Sequence, residues 1–428
     1  MSTFRRAGLV TSLATAALSF PAVALATPPE VPWWVSTSSM YDPPASSIPG
    51  QQGSVVWWRT MSNSDDANLG SLEGAARPDA TARRVIFRST TVGGTPNVES
   101  ATVFTPNNKP KPADGWKVVA WNHVTTGGAD LCAPSRATEN LPWSFTANPE
   151  YERLTRSDEL IAGLLDRGLV VVRTDYEGIG TPGPHPYMVG TSLAKSGING
   201  VRATRDLLGT ANTSKKWAVA GHSEGGVAAL STASLAPTLG SDLELQATLA
   251  AAPPVDLMNL VFGLGFSIPF PVGGTPMGAL LVNGARLSVP AIGAGYPDQI
   301  LSAAGKTRSA DLETKCLAQL GDGASIGGLS FGQYFAPTAS NYESLLKTEL
   351  DRWDPRFLDL KDKPVKFYAG SVDPLAWQSK IQTAVDMQRA RGKQNVELEV
   401  LPWANHVTIT DNAQGGVSMA NWIKAQLG

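Results

Sequence analysis

The stretch Trp217-Ala218-Val219-Ala220-Gly221-His222-Ser223-Glu224-Gly225-Gly226-Val227-Ala228-Ala229-Leu230 decides the fold. Four residues of strand type run into Gly-x-Ser-x-Gly, and an alanine-rich helical pattern leaves it. A serine on so tight a turn between a buried strand and a helix is lifted clear of the sheet. Its neighbours must be small for strand and helix to pass. The pattern alone does not carry this reading. Glycine is abundant, 42 of 428 residues, and Gly-x-Ser-x-Gly recurs at Gly323–Gly327 and Gly328–Gly332. Neither recurrence has a strand in front of it, so only Ser223 has the setting of a nucleophile. The competing reading of Ser223 is a plain strand–helix turn.

Working outward, apolar β-type runs fall at Ser54–Trp58, Val85–Arg88, Ala101–Thr105, Val118–Trp121, Leu169–Arg173, Trp217–Ala220, Leu245–Ala251, Val365–Ala369 and Val396–Leu401. Helical patterns lie between the later ones: Asp158–Arg167, with a start signal at Ser157, then Ser192–Leu208, Gly226–Leu235, Gln378–Arg391 and Val417–Leu427. Continuous apolar strands alternating with helices predict an α/β domain with a mainly parallel sheet covered on both faces. Residues 253–363 break the alternation. Within them Leu257–Pro297 carries one charge, Arg286, and eight glycines. A structureless loop of that length does not belong in a compact domain, so the segment predicts a substructure, an apolar cap over a pocket or extra core packing.

A serine hydroxyl needs a base to take its proton, and the base needs an acid to orient it. On a strand–turn–helix nucleophile the partners follow in the order acid, then histidine. Of four histidines, His123, His185, His222 and His406, only His406 lies beyond Ser223, just past the strand Val396–Leu401. Eleven aspartates lie between the two. Asp373, in Ala369-Gly370-Ser371-Val372-Asp373-Pro374, is the one at the carboxyl end of a strand, its rival role being a turn aspartate before Pro374. Backbone N–H groups must hold the oxyanion. One is expected from Glu224, the residue after the nucleophile, and the other from the loop Asn122–Gly128 after the strand Val118–Trp121. His123 there reads as a loop-ordering side chain, and Asp175, ahead of the serine in the chain, as structural.

Composition excludes much else. A net charge of −2 lacks the basic footprint of a nucleic-acid binder. Two cysteines and four scattered histidines supply no metal-ligand spacing, and no cofactor is implied. Residues 1–26 carry Arg5 and Arg6 before a short apolar stretch ending Ala24-Leu25-Ala26, which reads as a secretory signal cleaved near Ala26. In an exported chain Cys132 and Cys316, 184 positions apart, predict one disulfide, with two free thiols as the alternative. Such a bond would contribute about 4–5 kcal/mol on the chain-entropy account. The expected organisation is therefore a signal at 1–26, core at 27–252, cap at 253–363 and core again at 364–428.

Several linked motifs resemble the secretory lipases of the lipase-A type, α/β-hydrolases of yeasts and bacteria. They are Tyr41-Asp42-Pro43-Pro44, Trp121-Asn122-His123-Val124-Thr125-Thr126-Gly127 followed by Cys132-Ala133-Pro134-Ser135, Asp175-Tyr176-Glu177-Gly178, Thr181-Pro182-Gly183-Pro184-His185-Pro186-Tyr187 and Gly221–Gly226. The resemblance implies an α/β-hydrolase fold with a mainly parallel central sheet and an inserted, largely helical cap. It implies a triad at Ser223, Asp373 and His406, and hydrolysis of acyl esters. Counting back from Cys132, it points to Thr126 as the second oxyanion donor. The expected partner is a small-molecule or lipid ester, with contact to a lipid interface and no protein partner. Two rivals remain open at this point: a serine peptidase or amidase on the same scaffold, and a surface binding protein without catalysis.

Overall fold

The computed structural model describes residues 28–32, 35–61, 80–136, 158–263 and 274–428. The signal stretch, its cleavage point and the start signal at Ser157 lie outside them. Nine strands form one sheet: β1 (Val55–Thr60), β2 (Ala80–Thr90), β3 (Pro96–Pro106), β4 (Trp116–Asn122), β5 (Val170–Thr174), β6 (Thr213–His222), β7 (Glu244–Ala251), β8 (Val365–Gly370) and β9 (Val396–Leu401). Their order is β1-β2-β3-β5-β4-β6-β7-β8-β9. The first three pair antiparallel, β3 meets β5 antiparallel, and β5 through β9 run parallel. This is the mainly parallel sheet expected, with a meander on one side.

The helices of nine residues or more are α1 (Asp158–Asp166), α2 (Gly190–Leu208), α3 (Glu224–Leu239), α4 (Gly274–Ser288), α5 (Glu343–Trp353), α6 (Gln378–Ala390) and α7 (Gly416–Leu427). Alternate residues of the central strands feed two cores. Val119, Trp121, Val171, Ala218 and Ala220 face one way, against Leu160, Leu164 and Leu165 of α1 and Met419 and Ile423 of α7. Val118, Ala120, Val170, Val172, Trp217 and Val219 face the other, against Ile198 and Val201 of α2. Burial on both faces is why these strands read as unbroken apolar runs.

The outer strands are longer than their apolar runs. β2 and β3 pair over eleven residues each, Ala80–Thr90 against Pro96–Pro106. Their ends carry polar residues on both faces, Thr81, Arg83 and Arg84 then Ser89 and Thr90 in β2, and Asn97, Glu99 and Ser100 in β3, so the apolar signal covers only their middles. α3 begins at Glu224, two residues earlier than the pattern suggests, and runs past Leu235 with Pro237 in its last turn.

Between β7 and β8 the described residues form helices and no strand of the sheet: a π-turn at Met258–Gly263, α4, seven shorter turns of helix from Pro290 to Tyr342, and α5. Leu280, Leu281, Ile292, Leu301 and Leu312 from this insertion are buried and continuous with the core under α1 and α7. The expected disulfide is present, Cys132–Cys316, with Cα atoms 5.4 Å apart. Beside it Leu317 N–H donates to the Thr126 carbonyl at 2.9 Å, and Gly127 bridges Cys316. The insertion is thus fastened to the loop after β4 by a covalent bond and a short piece of ladder.

Candidate active site

β6 lies at the centre of the sheet and delivers Ser223 from its carboxyl end. Ser223 adopts φ 56° and ψ −119°, a backbone conformation that costs a non-glycine residue about 1–3 kcal/mol. The turn is tight enough to dictate its glycines. A Cβ on Gly221 would fall 2.1 Å from the Gly225 carbonyl oxygen, and one on Gly225 would fall 2.0 Å from that of Asn122. The strain is held by backbone bonds: Ser223 N–H donates to Ala251 of β7 at 2.9 Å, and its carbonyl accepts from Gly226 at 2.8 Å.

Three side chains from three separate strand ends meet there. Ser223 Oγ lies 2.9 Å from His406 Nε2, and His406 Nδ1 lies 2.8 Å from Asp373 Oδ2. Asp373 follows β8 and His406 follows β9, so each reaches the serine from a neighbouring loop. The other carboxylate oxygen of Asp373 accepts from the N–H groups of Leu375 and Ala376, both at 2.8 Å. A carboxylate fixed by two amides has one oxygen left to hold Nδ1–H, which leaves Nε2 as the acceptor facing the hydroxyl. The His406 loop is braced in turn by Asn405, whose Oδ1 accepts from Val407 and Thr408 at 2.9 and 3.0 Å. The other aspartates are engaged elsewhere: Asp354 pairs with Arg356, Asp359 with Lys361, and Asp386 with Gln382.

The two remaining Gly-x-Ser-x-Gly sites have other uses. Ser325 Oγ donates to Asp311 at 2.6 Å, and Ser330 caps the short helix Phe331–Tyr334. Neither has a histidine.

Glu224 opens α3, so its N–H has no intrahelical acceptor and points from the helix end beside Ser223. Opposite, the loop after β4 leaves Asn122 against the elbow, with Asn122 Nδ2 donating to the Ala220 carbonyl at 3.1 Å. Thr126 in that loop is fully buried, and its hydroxyl has no hydrogen-bond partner. His123 does order the loop: its Nδ1 contacts the Val124 carbonyl at 2.5 Å and its ring packs on Tyr176, centroids 4.3 Å apart. Burial pushes its pKa down to about 3, so it is neutral. His222, packed 5.0 Å from the His406 ring, is held well below the usual histidine value by burial and then by that neighbour. Asp175 accepts from Ser100 Oγ at 2.6 Å, from Ser135 N–H at 2.9 Å and from Ser135 Oγ, binding β5 to the segment after the disulfide.

Cavities open among the described residues both near this site and away from it. An apolar one of about 440 Å³ lies inside the insertion, among Met258, Phe262, Val282, Phe331, Phe335 and Leu346. A smaller recess of about 290 Å³ joins the Asp373 loop to the insertion through Leu375, Trp377, Asp256 and Lys380. Another, about 540 Å³, lies among Lys216, Leu245 and Val365 at the amino ends of β6, β7 and β8. Parallel sheets bind ligands at the carboxyl ends, so it has no place in this chemistry.

One contact was not foreshadowed by the sequence: the side chain of Glu224 turns under the elbow to meet His185 Nε2 at 3.0 Å. The Pro184-His185-Pro186 motif marked the position without saying what it touches.

Comparisons with known proteins bear out the resemblance to the secretory lipases. The sequence model of that family, described as "Secretory lipase", matches residues 152–319. Lipase 7 of Candida albicans is 27% identical over 226 residues, 52% of this chain and 48% of that protein, so the match spans about half the length of the curated relative. The fold is similar to Candida antarctica lipase A at 19% identity, TM-score 0.65, over 87% of this chain and 82% of that one. It is also similar to the rice cell wall degrading esterase LipA of Xanthomonas oryzae at 19% identity, TM-score 0.70, over 89% and 100%. The fold is that of the α/β-hydrolases.

Proposed function

We propose that the chain is an exported serine carboxylic-ester hydrolase, a lipase or esterase working through Ser223, His406 and Asp373. The observation that carries the reading is the unbroken chain of contacts from Asp373 Oδ2 through His406 to Ser223 Oγ. His406 Nε2 takes the hydroxyl proton as Oγ attacks the ester carbonyl. The negative charge that forms on the carbonyl oxygen is stabilised by the Glu224 N–H and by a donor at Thr126. The protonated His406 then gives its proton to the leaving alcohol. An acyl-enzyme remains, and water activated by the same histidine releases the acid. Asp373 keeps Nδ1–H in place throughout.

Residues 253–363 act as a cap, and the apolar acyl part of the substrate is accommodated under it. The charge-poor composition of the insertion and its 440 Å³ apolar cavity support that reading. Contact with a lipid surface is supported by the rim of the site. Trp403, 80% exposed, and Val372, 48% exposed, sit on the two loops that carry His406 and Asp373. Those loops are tied together by Trp403 N–H to Ser371 Oγ at 2.9 Å and Val372 N–H to the Ala404 carbonyl at 3.2 Å. Export after removal of residues 1–26 is supported by the match to a secretory family.

The test is a set of initial rates on p-nitrophenyl esters from two to eighteen carbons, with and without an emulsion, beside aminoacyl anilides. Ester turnover with stoichiometric fluorophosphonate labelling that Ser223→Ala abolishes is expected. Faster anilide than ester turnover, or no labelling of the wild type, overturns the proposal.

A further inference from the structure

The motifs Tyr176–Gly178 and Pro184–Tyr187 have no part in the triad, yet they surround the residue next to the nucleophile. Glu224 and His185 are both buried from solvent. Glu224 Oε1 stands 3.0 Å from His185 Nε2, and the Glu177 carbonyl oxygen stands 2.9 Å from His185 Nδ1. A carbonyl oxygen can only accept, so Nδ1 carries a proton. A carboxylate also only accepts, so with Glu224 ionised Nε2 carries one too. A ring with acceptors at both nitrogens is an imidazolium. The segment is built to bring it there: Gly178 has φ +71°, and a Cβ on it would fall 2.4 Å from the Pro184 carbonyl carbon, where the chain doubles back to His185.

Two tyrosines flank the ring. Tyr176 stacks on it with centroids 5.9 Å apart and planes 14° apart, and Tyr187 meets it edge-on at 6.1 Å. The face of Tyr176 favours a cation. Both reach past it to the loop after β4. The Tyr176 hydroxyl donates to the His123 carbonyl at 2.8 Å, and that of Tyr187 lies 2.9 Å from Thr125 Oγ1. One cation therefore touches α3 at its first residue on one side, and through two phenols the loop that ends at Thr126 on the other.

We propose that His185 is a positioning residue for the oxyanion hole, a buried imidazolium that anchors Glu224 and the 123–126 loop so that the amides of both keep their place as charge develops. The inference rests on the reading of Ser223 as the nucleophile. The groups facing the ring are Glu224 from α3, Glu177, Tyr176 and Tyr187 from its own segment, and the neutral His123 from the loop after β4. Burial alone lowers the His185 pKa; the hydrogen bond and charge of Glu224, then Glu177, outweigh it and raise it. A group with a raised folded pKa favours folding most below its unfolded value, and the benefit fades as pH climbs through the folded one. The clamp therefore loosens on the alkaline side.

The experiment has two arms. In the full chain labelled with ¹⁵N-histidine, His185 should show two protonated ring nitrogens at pH 8, where free histidine, with a pKa of about 6.5, is neutral. Glu224→Gln keeps the shape of the side chain and should return the ring to neutral at that pH. A neutral His185 in the wild type overturns the inference, and no substrate enters the measurement. In the second arm, kcat and KM are measured on soluble p-nitrophenyl butyrate. His185→Gln should lower kcat by about 10- to 100-fold, less than the loss of a whole oxyanion donor, with KM changed under about threefold. Adding Glu224→Gln to it, which removes the unpaired buried charge, should restore at least about threefold in kcat. A change in KM alone, or unchanged kcat, overturns the inference. Wild type without ester turnover removes the hydrolase reading instead, whatever the ring's charge; turnover with a neutral ring removes only this one.

Discussion

Gly221–Gly225 and Gly323–Gly332 spell the same pattern and do different things. In the first, Gly221 is squeezed by the Gly225 backbone and Asn122, and Gly225 by the backbone of Asn122 and His123 where β4 leaves the sheet. The squeeze forces Ser223 to positive φ and turns its hydroxyl out toward a loop from β9. In the second, Gly327 and Gly328 also pack against backbone, but that of Gly321 and Gly323, within the same coil of chain. Nothing from the sheet approaches, and the serines are spent on Asp311 and on a helix cap. A glycine pattern reports a shortage of space. Whether a serine in it can react depends on which element causes the shortage and on what the opposite strands bring.

Removing the hydroxyls tests that difference most severely. Ser223→Ala should lower kcat on a p-nitrophenyl ester by about 10⁶-fold, the scale of losing a triad nucleophile. Ser330→Ala should leave kcat within about twofold and lower stability by about 1 kcal/mol, the value of a cap. Asp373→Asn comes next, at about 10⁴-fold in kcat, because the amide cannot hold the tautomer that frees Nε2. Comparable losses from Ser223→Ala and Ser330→Ala would erase the distinction between the two regions.

The disulfide sharpens the comparison, because it joins them. Cys132 follows the loop beside the elbow, and Cys316 precedes the glycine-rich coil. With both changed to serine, the stability measured by denaturant should fall by about 4–5 kcal/mol if the bond acts by closing a long loop in the unfolded chain. Turnover of the folded fraction reports something else. Thr126 is also held by Leu317 N–H, so a fall in kcat beyond the folded fraction would show that this single backbone bond does not hold the loop without its covalent neighbour.

Much of the sheet was legible because its strands are buried on both faces: Val118–Trp121 and Trp217–Ala220 show as apolar runs without needing context. The eleven-residue pairing of β2 with β3 was not, since Thr81, Arg83 and Arg84 at one end of β2 and Asn97, Glu99 and Ser100 towards the start of β3 put polar side chains on both faces. At the site, His406 followed from chain order alone, and Asp373 from its place after a strand. His185 did not. It precedes the serine, lies in a proline-flanked turn, and meets Glu224 only because Gly178 lets the chain fold back. A contact made by two turns remote in sequence leaves no periodicity to read. The insertion showed itself only as an interruption, because most of its helices are four to six residues long and bury at most two apolar side chains each, such as Ile292, Leu312 and Tyr334, too few to repeat a 3.6-residue signature.

The smallest expected effects bear on the glycines themselves. A Cβ on Gly225 would stand 2.0 Å from one carbonyl oxygen and 2.8 Å from the next, both on the rigid exit of β4, so neither can yield without moving the strand. Gly225→Ala should cost about 2–3 kcal/mol, the range of core overpacking. Gly323 has nothing within 4 Å of the same position and no positive φ. Gly323→Ala should then leave the stability unchanged or raise it, by up to about 1 kcal/mol from the lower entropy of the unfolded chain, with the melting temperature following. The pair of melting curves separates two reasons for glycine that the sequence writes identically: room for a neighbour, and mere tolerance of a bend. Equal losses at both positions would mean that the glycine-rich coil is packed as tightly as the elbow, and that the contrast between the regions lies in the histidine alone.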